Sequence, residues 1–347
     1  MTFCVGLGGA ITEPISMLKG LRQGSPESAL MFGAFVDFLL TSVVTSWTAQ
    51  GVGFHLDAEL FHHALFADDL LLFAGSVEQL QSMIDDVVTA LSAGGLELRG
   101  TKCKWIHNKF VDVPGGVLPM VAEQPMSCVN DVGLPVLGSL ITPEGKSHLD
   151  FENRVLCAWK KFWALKAILL RKHCSISARV RLLDMTVLKC LLWNSQMWHL
   201  TQRQRQRLTT LQHEMVRRMM PFRRSSAEGF LDFYKRSMRA ARQYLSESHV
   251  VSWTQQWRVG LHRWAGHFSR LAGGKLPVRI LTWRSIQWWR ENQLQPDVLR
   301  HPARLSCWRW EEQLEAYHGP RWQHTAANRV WWKANEVPFS CRPIHET

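Results

Sequence analysis

Two short apolar runs separated by a pair of aspartates constrain the first half of the chain more than any other feature. The runs cover residues 62–66 and 70–73, and Ala67, Asp68 and Asp69 lie between them. Runs of this length, joined by so short a polar connection, predict two β-strands and a tight turn. Two adjacent carboxylates at such a tip repel each other unless a cation holds them. The sequence therefore predicts either a solvated turn or a cation site at this hairpin.

Asp68 and Asp69 offer hard oxygen ligands of the kind that Mg²⁺ prefers, and Mg²⁺ commonly binds one or two carboxylates together with substrate phosphates. A pair of such ions can stabilise the attacking and leaving oxygens of a phosphoryl transfer. Aspartate is also common in ordinary turns. The dipeptide alone favours the solvated turn, so the choice between the two interpretations depends on the surrounding segments.

A polar loop flanked by glycines, residues 20–28, precedes the hairpin. Arg22 and Gln23 can donate hydrogen bonds to a phosphate or a base edge, and Gly24 allows the backbone to approach a ligand closely. After the hairpin, we predict strands over residues 96–106 and 134–141. Lys102 follows the extended run at residues 96–98, and Leu137 and Gly138 lie in the second predicted strand.

Two helices are predicted around these segments. Pro26 suits the start of a helix, and residues 28–47 are apolar enough for a buried one. Asp37 and the interspersed Gly, Ser and Thr argue against a membrane span there. Residues 76–91 have one apolar face at helical spacing, which predicts a second helix.

Charge and tryptophan are distributed unevenly along the 347 residues. Residues 1–150 contain 7 Lys or Arg against 16 Asp or Glu, whereas residues 151–347 contain 34 against 13, which gives −9 and +21. Of the 17 Trp residues, 15 lie after residue 150. A strongly basic, tryptophan-rich second half points to a polyanion, and to nucleic acid first.

The second half has the pattern of a helical domain. Apolar residues recur at helical spacing over residues 155–169 and 182–197, and a third helix is predicted at about 203–220. We expect Trp159, Trp163, Trp193 and Trp198 to pack in the core. The third helix contains five arginines, for which a solvated face and contact with a nucleic-acid backbone are equally good interpretations: Arg203, Arg205, Arg207, Arg217 and Arg218.

Histidine and cysteine give no sign of a metal site. The eight Cys residues include no C-x-x-C pair, so reduced thiols in an intracellular compartment are expected. His62 and His63 lie on a predicted strand, where alternation puts them on opposite faces. The histidines of the C-terminal region have no second ligand at zinc spacing.

Four segments, taken in order, resemble motifs of the reverse transcriptases of non-LTR (LINE-type) retrotransposons. Residues 20–28 resemble the family's RQG-P-S loop, and residues 66–69 its catalytic F/Y-A-D-D motif. Residues 95–102 resemble its GL-x-hydrophobic-N-x-x-K motif, and residues 137–141 its LG primer-grip turn. Residues 263–267 and 308–332 resemble, more weakly, the RW-x-GH segment and the Trp-rich ending of such proteins.

The resemblance implies roles for the matching residues. Asp68 and Asp69 would bind the catalytic Mg²⁺, or Mn²⁺, with Asp68 as the more direct ligand. Lys102 would assist the departure of pyrophosphate as a cation or an acid. The remaining positions would contact the substrates. Arg22, Gln23 and Gly24 would contact the template and the incoming nucleotide. Leu137 and Gly138 would contact the primer.

Two departures from the family pattern bear on activity. Arg99 stands where the family usually has Asn, and no first palm motif with its metal-binding Asp precedes Gly20. We therefore expect an N-terminally truncated polymerase with little or no activity on its own, because two-metal catalysis depends on carboxylates that bridge both ions.

The sequence predicts an α+β fold: a partial polymerase palm over residues 1–150, a basic helical thumb over 151–225, and a Trp/Arg-rich helical region over 226–347. The expected function is RNA-directed DNA polymerase, with an RNA template, a DNA primer and dNTPs as partners and no membrane. A catalytically inactive nucleic-acid-binding remnant, or a fragment that folds poorly, remains an alternative. An intracellular location is expected, with the nucleus as a candidate compartment.

Overall fold

The computed structural model describes residues 2–342 except 4–5, 8–9, 14, 17–19, 21–24, 57–58, 112, 114–117, 272–310 and 320. The chain divides into two compact units, Met1–Val136 and Leu137–Thr347. The first unit combines two long helices with short strands, and the second is mainly helical. This mixture is consistent with a partial palm followed by a helical region. The three-domain division at residues 150 and 225 stays a prediction.

Helices α1 (Pro26–Gln50) and α2 (Val77–Ala93) form the framework of the first unit. Pro26 occupies the first turn of α1, as expected for a residue that lacks an N–H. Ser76 accepts a hydrogen bond from the Gln79 amide and caps α2. Leu40 and Trp47 on α1 pack against apolar residues of α2, and the indole Nε1 of Trp47 donates a 2.8 Å hydrogen bond to Asp86 on α2.

The prediction that residues 28–47 form a buried helix is correct for the helix and wrong for its burial. Leu30 is 77% exposed and Leu40 only 3%, so one face of α1 is buried and the other is open among the described residues. Glu27–Gln50 is also long and apolar enough to cross a membrane by length and composition, a test that core helices of soluble proteins pass too. The prediction overestimated the burial of α1 because the helix is apolar on all sides. The described residues cover only the face that packs against α2.

The strands are short, and those of the described residues associate in pairs. His63–Phe66 and Asp69–Leu72 form the antiparallel hairpin that the sequence predicted. In chain order the strands of this unit are β1 Thr2–Phe3, β2 Gly6–Leu7, β3 Ala10–Ile11, β4 Ile15–Ser16, β5 Phe54–Leu56, β6 Glu59–Phe61, β7 His63–Phe66, β8 Asp69–Leu72, β9 Lys104–Trp105, β10 Met120–Val121, β11 Gln124–Pro125, β12 Ser127–Cys128 and β13 Leu134–Val136.

The strand predicted over residues 96–106 is wrong for most of its length, since only Lys104–Trp105 is extended and paired. Gly95 has φ 74°, and a 3₁₀ turn covers Gly100–Lys102. Leu96 and Leu98 pack against the helices α1 and α2 from irregular chain. Their alternation, which resembled a strand, comes from this packing.

The strand predicted over residues 134–141 is interrupted. Strand β13 ends at Val136, and β14 (Ser139–Ile141) begins after Leu137 and Gly138. These two residues have φ 46° and 83°, the left-handed conformation of a tight turn. The sequence offered only one Gly as a turn signal, which was too little to separate two strands.

The helices of the second unit enclose a continuous apolar core. Helix α7 closely matches its predicted range and begins with a capping box between Thr201 and Gln204. The core includes Phe162, Leu183, Leu211 and Trp257. In chain order the helices are α3 His148–Ala164, α4 Lys166–Leu169, α5 Ile176–Leu183, a π-helical turn Asp184–Leu188, α6 Lys189–Leu191, a 3₁₀ turn Ser195–Met197, α7 Gln202–Met219, α8 Phe230–Glu247, α9 Trp253–Ser269, α10 Glu312–His318, α11 Trp322–Ala327, α12 Arg329–Ala334 and α13 Glu336–Cys341.

The prediction that four tryptophans pack in the core is correct for two. Trp198 is buried and Trp159 packs against the core from its edge. Trp163 and Trp193 are exposed, so the prediction was wrong for them. Trp163 lies one turn after Trp159, and the Arg218 guanidinium covers both indoles at the surface. Trp193 follows the end of α6, where helical spacing no longer applies.

Candidate active site and nucleic-acid interface

The Asp68–Asp69 hairpin presents both carboxylates to solvent. Phe66 pairs directly with Asp69, and Ala67 and Asp68 form the connection between β7 and β8. Ala67 has φ 53°, a left-handed conformation that costs a non-Gly residue about 1 kcal/mol. Phe66 is 64% exposed, and both aspartates are exposed.

The two carboxylates are available to a cation. Within the described part of the chain, neither the Asp68 nor the Asp69 side chain has a hydrogen-bond or ion-pair partner. Leu65, Leu70 and Leu72 anchor the same hairpin on α1 and α2. Two exposed oxygen ligands on a fixed turn suit a hydrated divalent ion, which keeps water in its remaining positions. Among the described residues no group of three or more His, Cys, Asp or Glu side chains converges on a metal site.

His62 and His63 lie at the start of this hairpin, and the prediction that they occupy opposite faces is wrong. The rings stack at 4.9 Å, and their Nδ1 atoms share a 2.7 Å hydrogen bond. His62 precedes β7 rather than belonging to it, so strand alternation does not apply. Burial lowers the pKa of both rings, although Asp37 opposes this for the pKa of His63. Burial therefore favours the neutral form of both rings.

Lys102 is exposed at the end of the Gly100–Lys102 turn. Gly100 is buried in that turn, and a Cβ atom there would lie 2.9 Å from the carbonyl oxygen of Val121 and 2.6 Å from the Cβ of Gln124. The close approach of these backbones therefore fixes where the lysine emerges. No described hydrogen bond or ion pair joins Lys102 to the aspartates.

Arg22, Gln23 and Gly24, the predicted contacts to template and nucleotide, lie outside the described residues. Gly20, just before them, is exposed in a bend with φ 85°. Ser25, just after them, precedes α1 in an extended conformation.

Leu137 and Gly138, the predicted primer contacts, form the turn before β14. The Leu137 carbonyl accepts hydrogen bonds from Trp193 Nε1 at 2.9 Å and from Asn194 Nδ2 at 3.3 Å. The Gly138 carbonyl accepts one from Arg154. Sequence reasoning missed these three donors. More than fifty residues separate Trp193 and Asn194 from the turn, and no spacing pattern signals the contact.

The five arginines predicted to contact a nucleic-acid backbone have different surroundings. Arg203 is exposed. Arg205 donates to the carbonyl of Leu200, and Arg207 forms an ion pair with Glu214 at 3.2 Å. The other two stack on aromatic rings, with Arg217 over Tyr234, and Arg218 over Trp159 and Trp163.

The weaker C-terminal resemblance falls on residues that pack together. A Cβ atom on Gly266 would collide with the indole of Trp332, whose Nε1 donates to the carbonyl of His262 at 2.8 Å. Asn328 caps α12 by accepting from the Trp331 amide. Trp308 and Trp310, in the same stretch, lie outside the described residues. The described residues of this resemblance thus build a small apolar core rather than an exposed site.

The family comparison matches residues 7–138 to the reverse transcriptases, the RNA-dependent DNA polymerases. Residues 7–138 belong to the reverse transcriptase family. The matched segment contains the Asp68–Asp69 hairpin, Lys102, the loop at residues 20–28 and the Leu137–Gly138 turn. The four motifs had predicted this family, and the prediction is confirmed.

The similar curated proteins come from retrotransposons. The chain is 35% identical over 85 residues to the Pol polyprotein of the retrotransposable element R2 of Nasonia vitripennis. It is 33% identical over 92 residues to the Pol polyprotein of the type-2 retrotransposable element R2DM of Drosophila melanogaster. These matches cover 24% and 26% of this chain and 8% of each relative. The matched segment is therefore similar to polyproteins of R2 retrotransposable elements.

A longer but weaker similarity extends into the helical unit. An uncharacterized transposon-derived protein of Caenorhabditis elegans is 25% identical over 230 residues, which is 65% of this chain and 77% of that protein. No solved structure matches the chain. The chain thus spans only a small part of the R2 polyproteins but most of this shorter relative.

Proposed function

We propose that this chain is an RNA-directed DNA polymerase that extends the 3′ end of a DNA primer on an RNA template with dNTPs, as part of a non-LTR retrotransposon. One observation carries the proposal: two exposed aspartates lie at the tip of a short β-hairpin within the segment that matches the reverse transcriptase family. A solvated turn would explain the aspartates alone. It would not explain why they occur in the family's motif, in order with three others.

Asp68 and Asp69 would hold Mg²⁺ or Mn²⁺ in this function. Their oxygens have the hardness that these ions favour, and their exposure leaves room for substrate phosphates. When bound, the ions supply charge stabilisation to the attacking and leaving oxygens. Because the described residues supply two carboxylates and no third, we expect the chain to bind the ions weakly and to react slowly.

The other motif residues would position the substrates. Lys102 would place an ammonium near the departing pyrophosphate, where it can donate a proton or neutralise charge. Arg22, Gln23 and Gly24 would contact the template and the incoming nucleotide, and Leu137 and Gly138 the primer. The proposed backbone contacts are the α7 arginines, Arg203, Arg205, Arg207, Arg217 and Arg218. An action on genomic DNA would require an intracellular, nuclear location.

Primer extension tests this function. The purified chain is given a labelled DNA primer on an RNA template with Mg²⁺ or Mn²⁺, and is compared with the double variant Asp68→Asn/Asp69→Asn. We expect slow extension by the unmodified chain and a loss of at least about 100-fold in the variant, the scale on which a lost stabiliser of transition-state charge acts.

The double variant Asp85→Asn/Asp86→Asn is the matched control. It also removes two adjacent carboxylates from the first unit, but from α2, where amide oxygens can still accept the bonds from Gln81 and Trp47. It should extend at the rate of the unmodified chain. A chain that binds the RNA–DNA duplex but never extends the primer would contradict the proposal and identify a nucleic-acid-binding protein without polymerase activity.

A further inference from the structure

The Leu137–Gly138 turn has a backbone conformation that its first residue, Leu137, does not favour. Leu137 has φ 46°, in the left-handed region where a side chain with a Cβ is disfavoured, and Gly138 continues at φ 83°. Leu137 is also 42% exposed and lies outside the apolar core clusters of the described residues. The strain is therefore not offset by burial of this leucine, and backbone strain of this kind tends to occur at functional sites.

Three side chains from the helical part of the same unit hold the two carbonyls of the turn. Trp193 and Asn194 donate to the Leu137 carbonyl, and Arg154 donates to that of Gly138. Asn194 itself has φ 55°, so it too adopts a left-handed conformation. A Cβ atom on Gly138 would lie 3.2 Å from Trp193 Nε1, which shows how closely this indole approaches the turn.

A buried carboxylate fixes the strand that follows the turn. Asp150, 4% exposed, accepts a 2.9 Å hydrogen bond from the Leu140 amide and a 2.6 Å bond from Trp198 Nε1. Strand β14 is thus tied to α3 and to the core independently of the turn. Trp193, by contrast, is 55% exposed and lies outside the apolar core cluster of this unit.

We propose that Arg154, Trp193 and Asn194 are positioning residues that hold the left-handed Leu137–Gly138 turn so that it meets the 3′-terminal nucleotide of the primer. This inference rests on the proposed function, because it takes the primer as the ligand of the turn. The three residues act through the turn and need not contact the nucleic acid themselves.

Photocrosslinking from the primer terminus tests the inference without requiring nucleotide incorporation. A DNA primer with 4-thiothymidine as its 3′-terminal nucleotide is annealed to an RNA template, bound to the full chain and irradiated. Trypsin releases the turn in the peptide Phe110–Lys146, and mass spectrometry of that peptide measures the yield at Leu137 and Gly138. Filter binding of the same duplex gives its Kd.

The test variant is Trp193→Phe/Asn194→Gly, which removes both donors to Leu137. Phenylalanine keeps an aromatic ring, and glycine suits the left-handed backbone of residue 194. We expect the yield at the turn to fall about tenfold with an unchanged Kd, since small misplacements of a positioned group cost ~10- to 100-fold. Trp331→Phe is the control, because Trp331 is also exposed in this unit and, within the described residues, makes no hydrogen bond with the turn. It should crosslink normally.

The possible outcomes separate the two proposals. A duplex that crosslinks to the turn equally well in the test variant would overturn the positioning role and leave the proposed function standing. A duplex that binds the unmodified chain but does not crosslink to the turn, or does not bind at all, would overturn both the positioning role and the assignment of the primer to this turn. The same low yield in Trp331→Phe would show a general loss of structure and would also overturn the inference.

Discussion

Gly100 is held so close to a neighbouring backbone that a side chain has no room there. The contacts that an added Cβ would make, with Val121 and Gln124, involve a carbonyl oxygen and the base of a side chain, which cannot move without the strand. Lys102 follows Gly100 by two residues and is exposed at the end of the same turn. The position of this lysine therefore depends on the absence of a side chain at residue 100.

We predict that Gly100→Ala lowers the free energy of unfolding of the first unit by about 1–3 kcal/mol, the usual cost of overpacking. Gly33→Ala is the matched control. Gly33 lies inside α1 with open space around it, so alanine should instead stabilise the unit by roughly 1 kcal/mol. Hydrogen exchange of the α2 amides measures both effects. Equal effects of the two substitutions would contradict the close approach at Gly100.

His262 and His318 form a second histidine pair, in the helical unit. Their Nε2 atoms lie 3.1 Å apart, and Trp332 stacks on His262 at 4.0 Å. Burial, with the neighbouring His318 and Arg258 charges, lowers the pKa of His262 to about 3. Burial lowers the pKa of His318 to about 4. Both rings are therefore neutral in the folded protein at pH 5, where unfolded histidines are protonated.

This difference predicts acid sensitivity of the second unit. Because the folded pKa values lie below the unfolded value of 6.5, the stability is complete above pH 6.5 and falls as the pH drops towards 4. Between pH 7 and pH 5 we expect a loss of about 1–2 kcal/mol for each histidine of the pair. Urea unfolding followed by tryptophan fluorescence reports this, since 15 of 17 Trp residues lie after residue 150.

His318→Gln should weaken the pH dependence without abolishing it, because burial also lowers the pKa of His199 and of His213 in this unit. His249→Gln, at an exposed histidine, should leave it unchanged. If the unmodified chain were equally stable at pH 7 and pH 5, the pair would not be neutral in the folded state.

At the scale of elements, α1 has two faces that the sequence does not distinguish. The hydrophobic residues that predicted the helix are spread around it, and only those facing α2 are buried. Leu30 and Leu40 are the same residue type on the same helix with opposite exposure. Comparing alanine substitutions at these two leucines therefore measures how much burial on α1 contributes to the stability of the first unit.

We predict that Leu40→Ala destabilises the first unit by about 2–4 kcal/mol, as for other buried leucines. Leu30→Ala should change its stability by less than about 0.5 kcal/mol. Protection of the α2 amides in hydrogen exchange measures both. A comparable loss in Leu30→Ala would mean that the outer face of α1 is covered in solution.

The elements predicted correctly are those specified by neighbouring residues. The hairpin at Asp68–Asp69 follows from two short apolar runs and a tight turn, and α7 follows from its apolar period. The strand over residues 96–106 was wrong because Leu96 and Leu98 owe their alternation to packing on helices. The bonds from Trp193 and Asn194 to Leu137 join distant residues, and no local pattern contains that information. The motif residues could therefore be identified from the sequence. The distant residues that hydrogen-bond to them, Trp193 and Asn194, could not.

For the whole molecule, the uneven charge makes the second half the expected place for the proposed nucleic-acid binding. Residues 151–347 have a net charge of +21, but the α7 arginines are not equally available to phosphates. Arg207 is already paired with Glu214, and Arg217 and Arg218 are stacked on aromatic rings. A stacked guanidinium keeps its charge and its free N–H groups, so stacking does not prevent phosphate contact.

Salt dependence measures how many of these charges act. If all five arginines contact a single-stranded RNA, the logarithm of the binding constant should fall against the logarithm of salt concentration with a slope of about −3.5, from ~0.7 for each phosphate contact. Arg203→Gln, at an exposed arginine, should reduce the slope by about 0.7 with little effect on folding. Lys146→Gln removes one positive charge from the same unit outside α7, and its slope should stay unchanged. A slope near zero for the unmodified chain would show that α7 is a solvated face, and the excess of positive charge would then need another polyanion as its partner.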